Sequence, residues 1–414
     1  MLSSYKVLDL STERGLMCGQ VLGDLGADVI KVEPPGGSAA RQLAPFYRDE
    51  PHPNRSLYWW SYNRNKRGIT LDLECEEGQA LLRQLVGGAD FLIESESPGV
   101  MERRGLGYET LAALNPRLVY VSITPFGQDG PKAGYVDSDL IIMAAGGPLL
   151  LAGDADRPPV RVSVPQAYAH TCVDAAAAAL IANHERARSG RGQHVDVSAQ
   201  QAVTFATQSN IVASQIGEGK EFQRCAGGIR LGPFKVQFQW PAKDGYVSIT
   251  FLFGSSFGPF TRRLMEAVHE AGFCDEATRD KDWIEYFAML FTGAEPPEEY
   301  DRVMAIVAAF TESQTKAELF ALARARGLLI APIATTEELT VSEQLDARGY
   351  WQMQEHPELE DRFQYPGPFA KFSETPLAYR RRPPLVGEHN HEVYVQELGM
   401  SETDVADLQA RGVL

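Results

Sequence analysis

Short runs of aliphatic and β-branched residues alternate with amphipathic stretches over the first 125 residues, and this alternation constrains the fold more than any other feature. The candidate strands are YKVLDLS, DVIKVE, GITLDL, DFLIES and LVYVSITPFG, and the stretches between them include ERGLMCGQVLGDLGA and CEEGQALLRQLVGGA. Strands that alternate with helices predict βαβ units and a parallel sheet covered on both faces. The sequence therefore predicts a doubly wound α/β domain.

The pattern changes further along the chain. An alanine-rich helix is predicted at about 171–188, and a second helix, SAQQAVTFATQSNIVASQIG, follows the SGRGQHVDV turn and strand. From about residue 225 the chain reads as extended runs with a tight turn at KDG (243–245), followed by several amphipathic helices. A smaller α+β unit is therefore expected to begin there.

Composition excludes several classes of function. The 414 residues carry a formal net charge of −16, and no basic stripe with interleaved aromatic residues is present, so nucleic acid is not an expected partner. No signal-like N-terminus and no long apolar run appears, which predicts a cytoplasmic protein without a membrane partner. The five cysteines show no CxxC spacing, so neither a disulfide framework nor a metal site is expected.

The motifs of several common enzyme classes are also missing. The sequence contains no GxGxxG after the first strand, no GxxxxGK[ST], no HExxH and no GxSxG. The usual dinucleotide, P-loop, zinc-protease and serine-hydrolase sites are therefore not predicted.

What remains is an ordered series of loop motifs, most of which follow predicted strands. They are VEPPGG (32–37), NRNKRGITLDL (63–73), ESESPGVMERRGLGYE (94–109), ITPFGQDGP (123–131) and SGRGQHVDVS (189–198). Loops at the carboxyl ends of strands are where open α/β sheets bind ligands. Each motif alone also has an ordinary structural explanation, such as a solvated basic turn or a helix end.

Taken together and in this order, these motifs resemble the class III CoA transferases, a family that includes formyl-CoA and carnitine CoA transferases and the α-methylacyl-CoA racemases. The resemblance extends from VLDLS near the N-terminus to PPLVGEHNHEVYVQELGMSETDVADLQARGVL at the C-terminus. It implies a Rossmann-like large domain formed by both chain ends, a smaller domain, and two chains interlocked as linked rings. It also implies coenzyme A as the ligand, carried as an acyl-CoA substrate, and a carboxylic acid as the second substrate.

The resemblance, combined with the pattern changes, gives the expected domain limits. Residues 1–198 would form the first part of the large domain, and 199–224 a linker helix. The small domain would span 225–330, and 331–414 would return as a linker and the C-terminal part of the large domain.

The same resemblance implies a set of residues that contact CoA. The family pattern gives Arg14 after the first strand, Leu71 in the NKRGITLDL segment and Arg103 after the PG turn. Lys66, Arg67 and Arg104 are further cations in the same motif loops, and Ser95 in the ESESPG segment is a further candidate. The basic members are suited to bind phosphates. Lysines that the family pattern places near 74 and 136 are Glu74 and Val136 here, which weakens the expected phosphate binding at those positions.

One family residue is absent. Members of the family carry an aspartate at the entrance of the alanine-rich helix, and counting back from SGRGQ places Tyr168 at that position. A register slip does not supply an acid, because residues 162–173 (VSVPQAYAHTCV) contain none. The nearest alternatives in the sequence are Asp154, Asp156 and Asp174.

The chemistry implied by the resemblance needs a carboxylate there. The acid attacks the acyl thioester to give a mixed anhydride, and the released thiolate then attacks the enzyme's own carbonyl, so the enzyme itself carries CoA. A phenol has no carbonyl carbon. The racemase branch is disfavoured too, because its earlier histidine is missing from YVDSDLIIMAAGG. His170 is a candidate base near pH 7, although a histidine at a helix start is more often structural.

Three functions therefore remain open. The first is the non-nucleophilic subunit of a heteromeric CoA transferase, completed by a homologous subunit that bears the aspartate. The second is a self-sufficient acyl-CoA enzyme, with itself as partner in a homodimer, that acts as a transferase through another aspartate or as a different thioester enzyme through His170. The third is a protein that binds CoA esters without turnover.

Overall fold

The structure is a computed structural model that describes residues 1–216 and 224–414. It divides into two compact units. The first takes in 1–150, the described part of 161–220, and 344–414, and the second takes in 151–160 and the described part of 221–343. Most of the predicted linker 199–224 is described, but its residues 217–223 lie outside the described residues.

The described residues form thirteen strands. They are β1 (Lys6–Asp9), β2 (Asp28–Glu33), β3 (Lys66–Thr70), β4 (Phe91–Glu94), β5 (Val119–Thr124), β6 (His194–Ser198), β7 (Gly228–Leu231), β8 (Phe234–Gln237), β9 (Gln239–Ala242), β10 (Gly245–Ile249), β11 (Ile330–Pro332), β12 (Gln352–His356) and β13 (Asp361–Tyr365).

The α-helices of the same residues are α1 (Leu16–Asp24), α2 (Leu57–Tyr62), α3 (Glu76–Val86), α4 (Val100–Arg103), α5 (Tyr108–Leu114), α6 (Asp139–Ala145), α7 (Ala167–Ser189), α8 (Ala199–Thr204), α9 (Gln208–Ile216), α10 (Gly254–Glu270), α11 (Glu276–Arg279), α12 (Tyr286–Thr292), α13 (Pro297–Glu312), α14 (Lys316–Arg326), α15 (Thr336–Thr340), α16 (Glu343–Ala347) and α17 (Glu402–Ala410). A π-helical stretch spans His391–Glu397. None of these helices is both long enough and apolar enough to cross a bilayer.

The first unit is built on a six-stranded parallel sheet with the order β3-β2-β1-β4-β5-β6. Strand order reverses between β1 and β4, and the carboxyl ends of the strands at such a reversal leave a crevice where ligands bind. The predicted doubly wound α/β domain is confirmed. The sequence pattern also predicted the carboxyl edge as the location of the motif loops.

Two hydrophobic cores cover the two faces of this sheet. Side chains alternate along a strand, so Val7 and Leu8 of β1 enter opposite cores. Val7 packs in the core that contains α1 and the alanine-rich face of α7, and Leu8 packs in the core that contains α3, α5 and α17. Alanine on α7 allows close packing, because Ala175, Ala176 and Ala179 are almost completely buried.

The C-terminal segment covers the edge of this sheet. The backbone N–H of Thr70 donates to the Asn390 side chain at 2.9 Å, and the backbone N–H of His389 donates to the carbonyl of Gly68 at 2.9 Å. These bonds satisfy groups that an open edge strand would leave exposed. Residues 344–414 therefore belong structurally to the same unit as the first strands.

The second unit contains an antiparallel sheet of β9, β10 and β11, packed with α10, α13 and α14. β9 and β10 pair through the turn at Lys243 and Asp244, which the sequence predicted as a hairpin. Its core is strongly aromatic, with Trp240, Phe251 and Trp283 buried.

The alanine-rich helix starts earlier than its sequence pattern indicates. It was expected from about 171, whereas α7 begins at Ala167. The difference arises because Asp139, distant in sequence, accepts hydrogen bonds from the backbone N–H groups of Gln166 (2.6 Å) and Ala167 (2.8 Å). Such a carboxylate satisfies the otherwise unpaired amides of the first turn.

Candidate active site

The first cavity lies at the carboxyl edge of the parallel sheet and is called the sheet-edge cavity below. Its volume is about 280 Å³, and the loops that follow β1, β2, β3 and β4 supply most of its lining. The lining residues are Leu10, Ser11, Thr12, Glu13, Lys31, Val32, Glu33, Pro34, Ser38, Ala39, Leu71, Asp72, Leu73, Glu74, Glu96 and Arg104. It therefore occupies the crevice at the strand-order reversal.

A fully buried charge cluster forms the floor beneath this cavity. Asp9 lies between Lys31 (3.4 Å) and Lys66 (2.8 Å), and all three side chains are at most 1% exposed. Burial alone would raise the pKa of Asp9, but the two lysines outweigh it and hold that pKa below its ordinary value. The cluster therefore places two lysines against one carboxylate inside the fold.

The structure places Lys66 in this floor rather than in the cavity lining. Its ammonium donates to Asp9, to the carbonyl of Leu16 and to the side chain of Asn63, each at 2.8–2.9 Å. An ammonium has three donors. All three are used internally, so no donor is available for a phosphate, contrary to the expectation from the motif.

Arg67 points away from the cavity as well. Its guanidinium pairs with Asp28 and with two residues of the π-helical stretch, Glu392 (2.9 Å) and Glu397. Its side chain is only 4% exposed. Arg67 therefore ties the C-terminal segment to the sheet, and the structure does not place it with the other predicted coenzyme contacts.

Arg104 lines the rim of the sheet-edge cavity. Its guanidinium donates to Glu74 and, at 3.3 Å, to Glu96. Burial by itself lowers the pKa of Arg104, but the hydrogen bonds and the charges of these two carboxylates raise it overall. The neighbouring Arg103 is exposed and does not line the cavity. The two predicted arginines therefore occupy different environments.

Three other predicted residues are brought together at this edge. Leu71 is buried and lines the sheet-edge cavity. Ser95 is buried, and its hydroxyl accepts a hydrogen bond from the backbone N–H of Thr12 at 2.8 Å. Arg14 donates to the carbonyl of Ser95 at 3.4 Å. The loops after β1 and β4 are thus joined where the strand order reverses.

A second cavity of about 490 Å³ lies at the start of α7 and is called the entrance cavity below. Glu13 lines both cavities. The lining of the entrance cavity is otherwise Arg14, Met17, Leu43, Ala44, Tyr58, Tyr62, Asp137, Ser138, Asp139, Val164, Pro165, Tyr168, Ala169 and Cys172. Apolar and tyrosine side chains dominate this list.

Tyr168 takes part in a compact polar network within the entrance cavity. Its hydroxyl donates to one carboxylate oxygen of Asp137 at 2.5 Å, and Arg14 donates to the other oxygen at 2.5 Å. The Asp137 side chain is only 5% exposed. Burial raises the pKa of Tyr168, and the hydrogen bond to Asp137 and its charge raise it further. The phenol therefore stays protonated at neutral pH.

The other candidates for chemistry at this entrance are not brought into the cavity. His170 is exposed, two residues along α7 from Tyr168, and it is not among the cavity-lining residues. Asp174 is exposed further along the same helix. Asp154 belongs to the second unit, where it binds Lys235 (3.1 Å) and Arg157 (2.9 Å), and Asp156 is exposed.

Sequence reasoning missed Asp137, the carboxylate that the fold places against Tyr168. The two residues are 31 positions apart, and no local spacing relates them. The only signal was the pair of acids in YVDSDLI, Asp137 and Asp139, of which one meets Tyr168 and the other caps α7. Tyr58 and Tyr62 were missed for the same reason, because α2 reaches the cavity only through tertiary packing.

The sheet-edge cavity suits part of a coenzyme A molecule better than the rest. Leu10, Leu71 and Leu73 give it apolar walls for a base or a pantetheine chain. Its acidic lining and the paired state of Arg104 are poorly suited to phosphates. No group of three or more His, Cys, Asp or Glu side chains suited to a metal ion occurs within residues 1–216 and 224–414.

Comparison with known proteins agrees with the motif series. A profile of CoA-transferase family III matches residues 2–390. The chain is 34% identical to the succinyl-CoA:(R)-benzylsuccinate CoA-transferase subunit BbsE of Thauera aromatica, over 100% of this chain and 98% of that protein. It is 33% identical to the succinyl-CoA–D-citramalate CoA-transferase of Chloroflexus aurantiacus, again over 100% and 98%.

A solved structure agrees in fold. A CAIB/BAIF family protein from Brucella suis superposes with a TM-score of 0.79 at 29% identity, covering 95% of this chain and 98% of that one. The motif series, the parallel sheet with its reversal, and the match over nearly the whole length lead to one conclusion: the chain belongs to CoA-transferase family III.

Proposed function

We propose that this chain is the non-nucleophilic subunit of a heteromeric class III CoA transferase, which moves CoA from an acyl-CoA donor to a carboxylic acid acceptor. The observation that carries the proposal is Tyr168, a phenol bound to Asp137 at the helix entrance where the family resemblance expects a free carboxylate. The relative from Thauera aromatica is itself described as a subunit, which supports the proposal.

The chemistry explains why a partner is needed. In the expected reaction, a carboxylate oxygen bonds to the acyl carbon while the carbon–sulfur bond breaks and the CoA thiolate leaves. The thiolate then attacks the enzyme's carbonyl carbon and releases the acyl group as a carboxylate. Tyr168 has no such carbon, and its raised pKa also makes it a poor nucleophile. The partner's aspartate would perform both steps.

The remaining expectations from the family belong to the same proposal. The two chains would interlock, and the two compact units would be the large and small domains. Arg14, Leu71, Ser95 and Arg104 would face the coenzyme, with exposed Arg103 completing the phosphate contacts. Lys66 and Arg67 are assigned to stabilising the fold, because their donors are bound internally.

The test is reconstitution. The chain is purified alone and also co-expressed with a homologous chain that carries the aspartate, and transfer from succinyl-CoA to a panel of carboxylic acids is followed by chromatography of the CoA esters. We expect transfer by the complex only, and we expect its loss when the partner's aspartate is changed to asparagine. Full activity of this chain by itself would contradict the proposal.

A second candidate is a self-sufficient transferase in which Asp137 is the nucleophile. The specific observation in its favour is that Asp137 lines the entrance cavity beside Tyr168. Against it, both carboxylate oxygens are engaged, one by Arg14 and one by Tyr168.

Covalent trapping separates the two candidates. If Asp137 reacts, incubation of the isolated chain with an acyl-CoA leaves CoA as a thioester on that side chain, and hydroxylamine converts the thioester to a hydroxamate that mass spectrometry can locate. The variant Asp137→Asn would lose the label. With the first candidate, the isolated chain acquires no label and the partner's aspartate acquires it in the complex.

A further inference from the structure

We propose that Glu74 competes with coenzyme phosphates for Arg104, so that the free chain binds CoA more weakly than the shape of its cavity allows. The inference rests on the proposed function in one respect, namely that CoA enters the sheet-edge cavity. It goes beyond that function because it assigns a regulating side chain and the part of the coenzyme on which it acts.

The first step is the contact itself. Arg104 lies at the end of α4, and its side chain is 16% exposed. One terminal nitrogen donates to Glu74, and the other donates to Glu96 at 3.3 Å. A guanidinium binds a phosphate best through two parallel N–H donors. Each terminal nitrogen already donates to a carboxylate, so a phosphate that approaches from the same side competes with Glu74 and Glu96 for these donors.

The second step is that Arg104 has no substitute in this cavity. The other basic side chain of the lining is Lys31, which is 1% exposed and donates to the side chain and carbonyl of Asp9 and to the carbonyl of Ser11. Moving Lys31 would leave Asp9 with less compensation in a buried position. Among the lining residues, a phosphate in this cavity therefore depends on Arg104, and Arg103 lies outside that lining.

The third step is the charge that a phosphate would meet. The lining contains five acidic side chains, Glu13, Glu33, Asp72, Glu74 and Glu96, against the two cations Lys31 and Arg104. Glu33 is neutralised by a buried pair with Arg41, whereas Glu74 and Glu96 face the rim. Each additional negative charge near a phosphate weakens its binding.

The fourth step distinguishes Glu74 from Glu96. The Glu74 side chain is 72% exposed, compared with 31% for Glu96. An exposed carboxylate can leave its partner and become hydrated at little cost. Glu74 is therefore the partner of Arg104 that a phosphate displaces most easily.

The experiment measures binding rather than transfer. Calorimetry is carried out on the full chain with CoA, with adenosine 3′,5′-bisphosphate, which keeps phosphates, and with pantetheine, which has none. We expect Glu74→Gln to tighten the binding of CoA and of the bisphosphate by roughly three- to tenfold, and to leave pantetheine unchanged. The matched control is Glu77→Gln, since Glu77 follows closely in sequence and pairs with Arg411 outside this cavity.

A double variant tests the route of the effect. In an Arg104→Gln background, Glu74→Gln should bring no gain, because the cation for which the two anions compete is gone. The proposal is overturned if Glu74→Gln leaves the affinity for CoA unchanged or weaker, or if neither the chain nor the variant binds CoA. It is also overturned if the affinity for pantetheine rises equally, or if the rise in CoA affinity persists in the Arg104→Gln background. These binding measurements do not need the partner subunit. If Glu74→Gln binds CoA more tightly but transfer is not reconstituted with a partner, the proposed function is refuted and the competition for Arg104 is not.

Discussion

The floor of the sheet edge holds one carboxylate between two lysines, whereas the rim holds one arginine between two carboxylates, and the two places also differ in their access to water. In the floor, Asp9, Lys31 and Lys66 are at most 1% exposed. At the rim, Arg104 pairs with Glu74, whose side chain is 72% exposed. Both Lys66 and Arg104 belong to loop motifs that suggest phosphate binding. Burial decides which of them is part of the fold and which can exchange partners with a ligand.

The largest change in stability is expected in the floor. Lys66→Met should destabilise the first unit by about 3–5 kcal/mol, because three buried acceptors, on Asp9, Leu16 and Asn63, lose their donor. Hydrogen exchange of the amides of β1 and β3 reports this change without contribution from the second unit. In the control Lys6→Met, the lost pair with Glu397 is about 31% exposed on both sides, so the cost should be about 1 kcal/mol or less.

The opposite result would remove the distinction between floor and rim. If Lys66→Met folds as stably as the unchanged chain but loses CoA affinity, then Lys66 is a coenzyme contact, as its motif suggests, and burial is not the deciding property.

The second prediction concerns Glu94, a buried carboxylate at the end of β4. Nearby negative charges add to the effect of its burial, whereas two lysines offset the burial of Asp9. Burial raises the pKa of Glu94 to about 7, the negative charges of Glu96 and Glu102 add to the rise, and hydrogen bonds from Ser122 and the Glu96 backbone oppose it. The folded state therefore holds a proton that the unfolded chain releases above its ordinary pKa of 4.5. Stability should fall as pH rises from about 4.5 to about 7 and then level off.

Glu94→Gln should remove that pH dependence and stabilise the first unit at pH 8 by up to about 3 kcal/mol. The measurement is denaturant unfolding followed by hydrogen exchange of β4 and β5 at several pH values between 4.5 and 8. Glu109→Gln, at an exposed position on α5, serves as a control that should keep the original profile. A variant that is less stable than the original chain at pH 8 would show that Glu94 is charged and paired in the fold.

The order of strands and helices along the chain was predictable from sequence, because strand-like and amphipathic runs alternate clearly through β5. The apolar side of each amphipathic run also indicates that helices cover both faces of the sheet. The strand order was not predictable, since pairing between β1 and β4 joins residues about 85 positions apart. The early start of α7 was missed because its N-terminus is capped by Asp139, far away in sequence.

The candidate site was predictable only in part for a related reason. Motifs identify the loops at the carboxyl edge, and Arg14, Leu71, Ser95 and Arg104 lie in those loops; that they contact coenzyme A stays a prediction. Motifs do not report the direction of a side chain, and the Lys66 ammonium binds Asp9 of β1, a strand that β2 separates from β3. The same limit hid Asp137.

A smaller change in stability is expected in the Tyr168–Asp137–Arg14 network of the entrance cavity. Its carboxylate is nearly buried, as in the floor, and its arginine is partly exposed, as at the rim. Tyr168→Phe removes the hydroxyl that donates to Asp137, while Arg14 continues to pair with that carboxylate. A hydrogen bond to a charged group contributes about 1.5–3 kcal/mol, and the remaining pair should reduce the loss to about 1–2 kcal/mol. Hydrogen exchange at the first turns of α7 measures it.

Tyr62→Phe is the matched control, because Tyr62 lines the same cavity and its hydroxyl makes no hydrogen bond within the described residues. Its loss should be smaller than that of Tyr168→Phe. Equal effects of the two variants would indicate that the Tyr168 hydroxyl adds nothing beyond packing, and Asp137 would then be held by Arg14 alone.

The smallest change in stability is expected at the rim. Glu74→Gln should change the stability of the first unit by less than about 0.5 kcal/mol, because the lost pair is exposed on the Glu74 side and water replaces it. The change should vanish in about 0.5 M salt, since screening already removes most of an exposed attraction. Hydrogen exchange around α4 at low and high salt provides the measurement. A loss above about 2 kcal/mol would place Glu74 with the floor, and a carboxylate held that firmly would not give way to a phosphate.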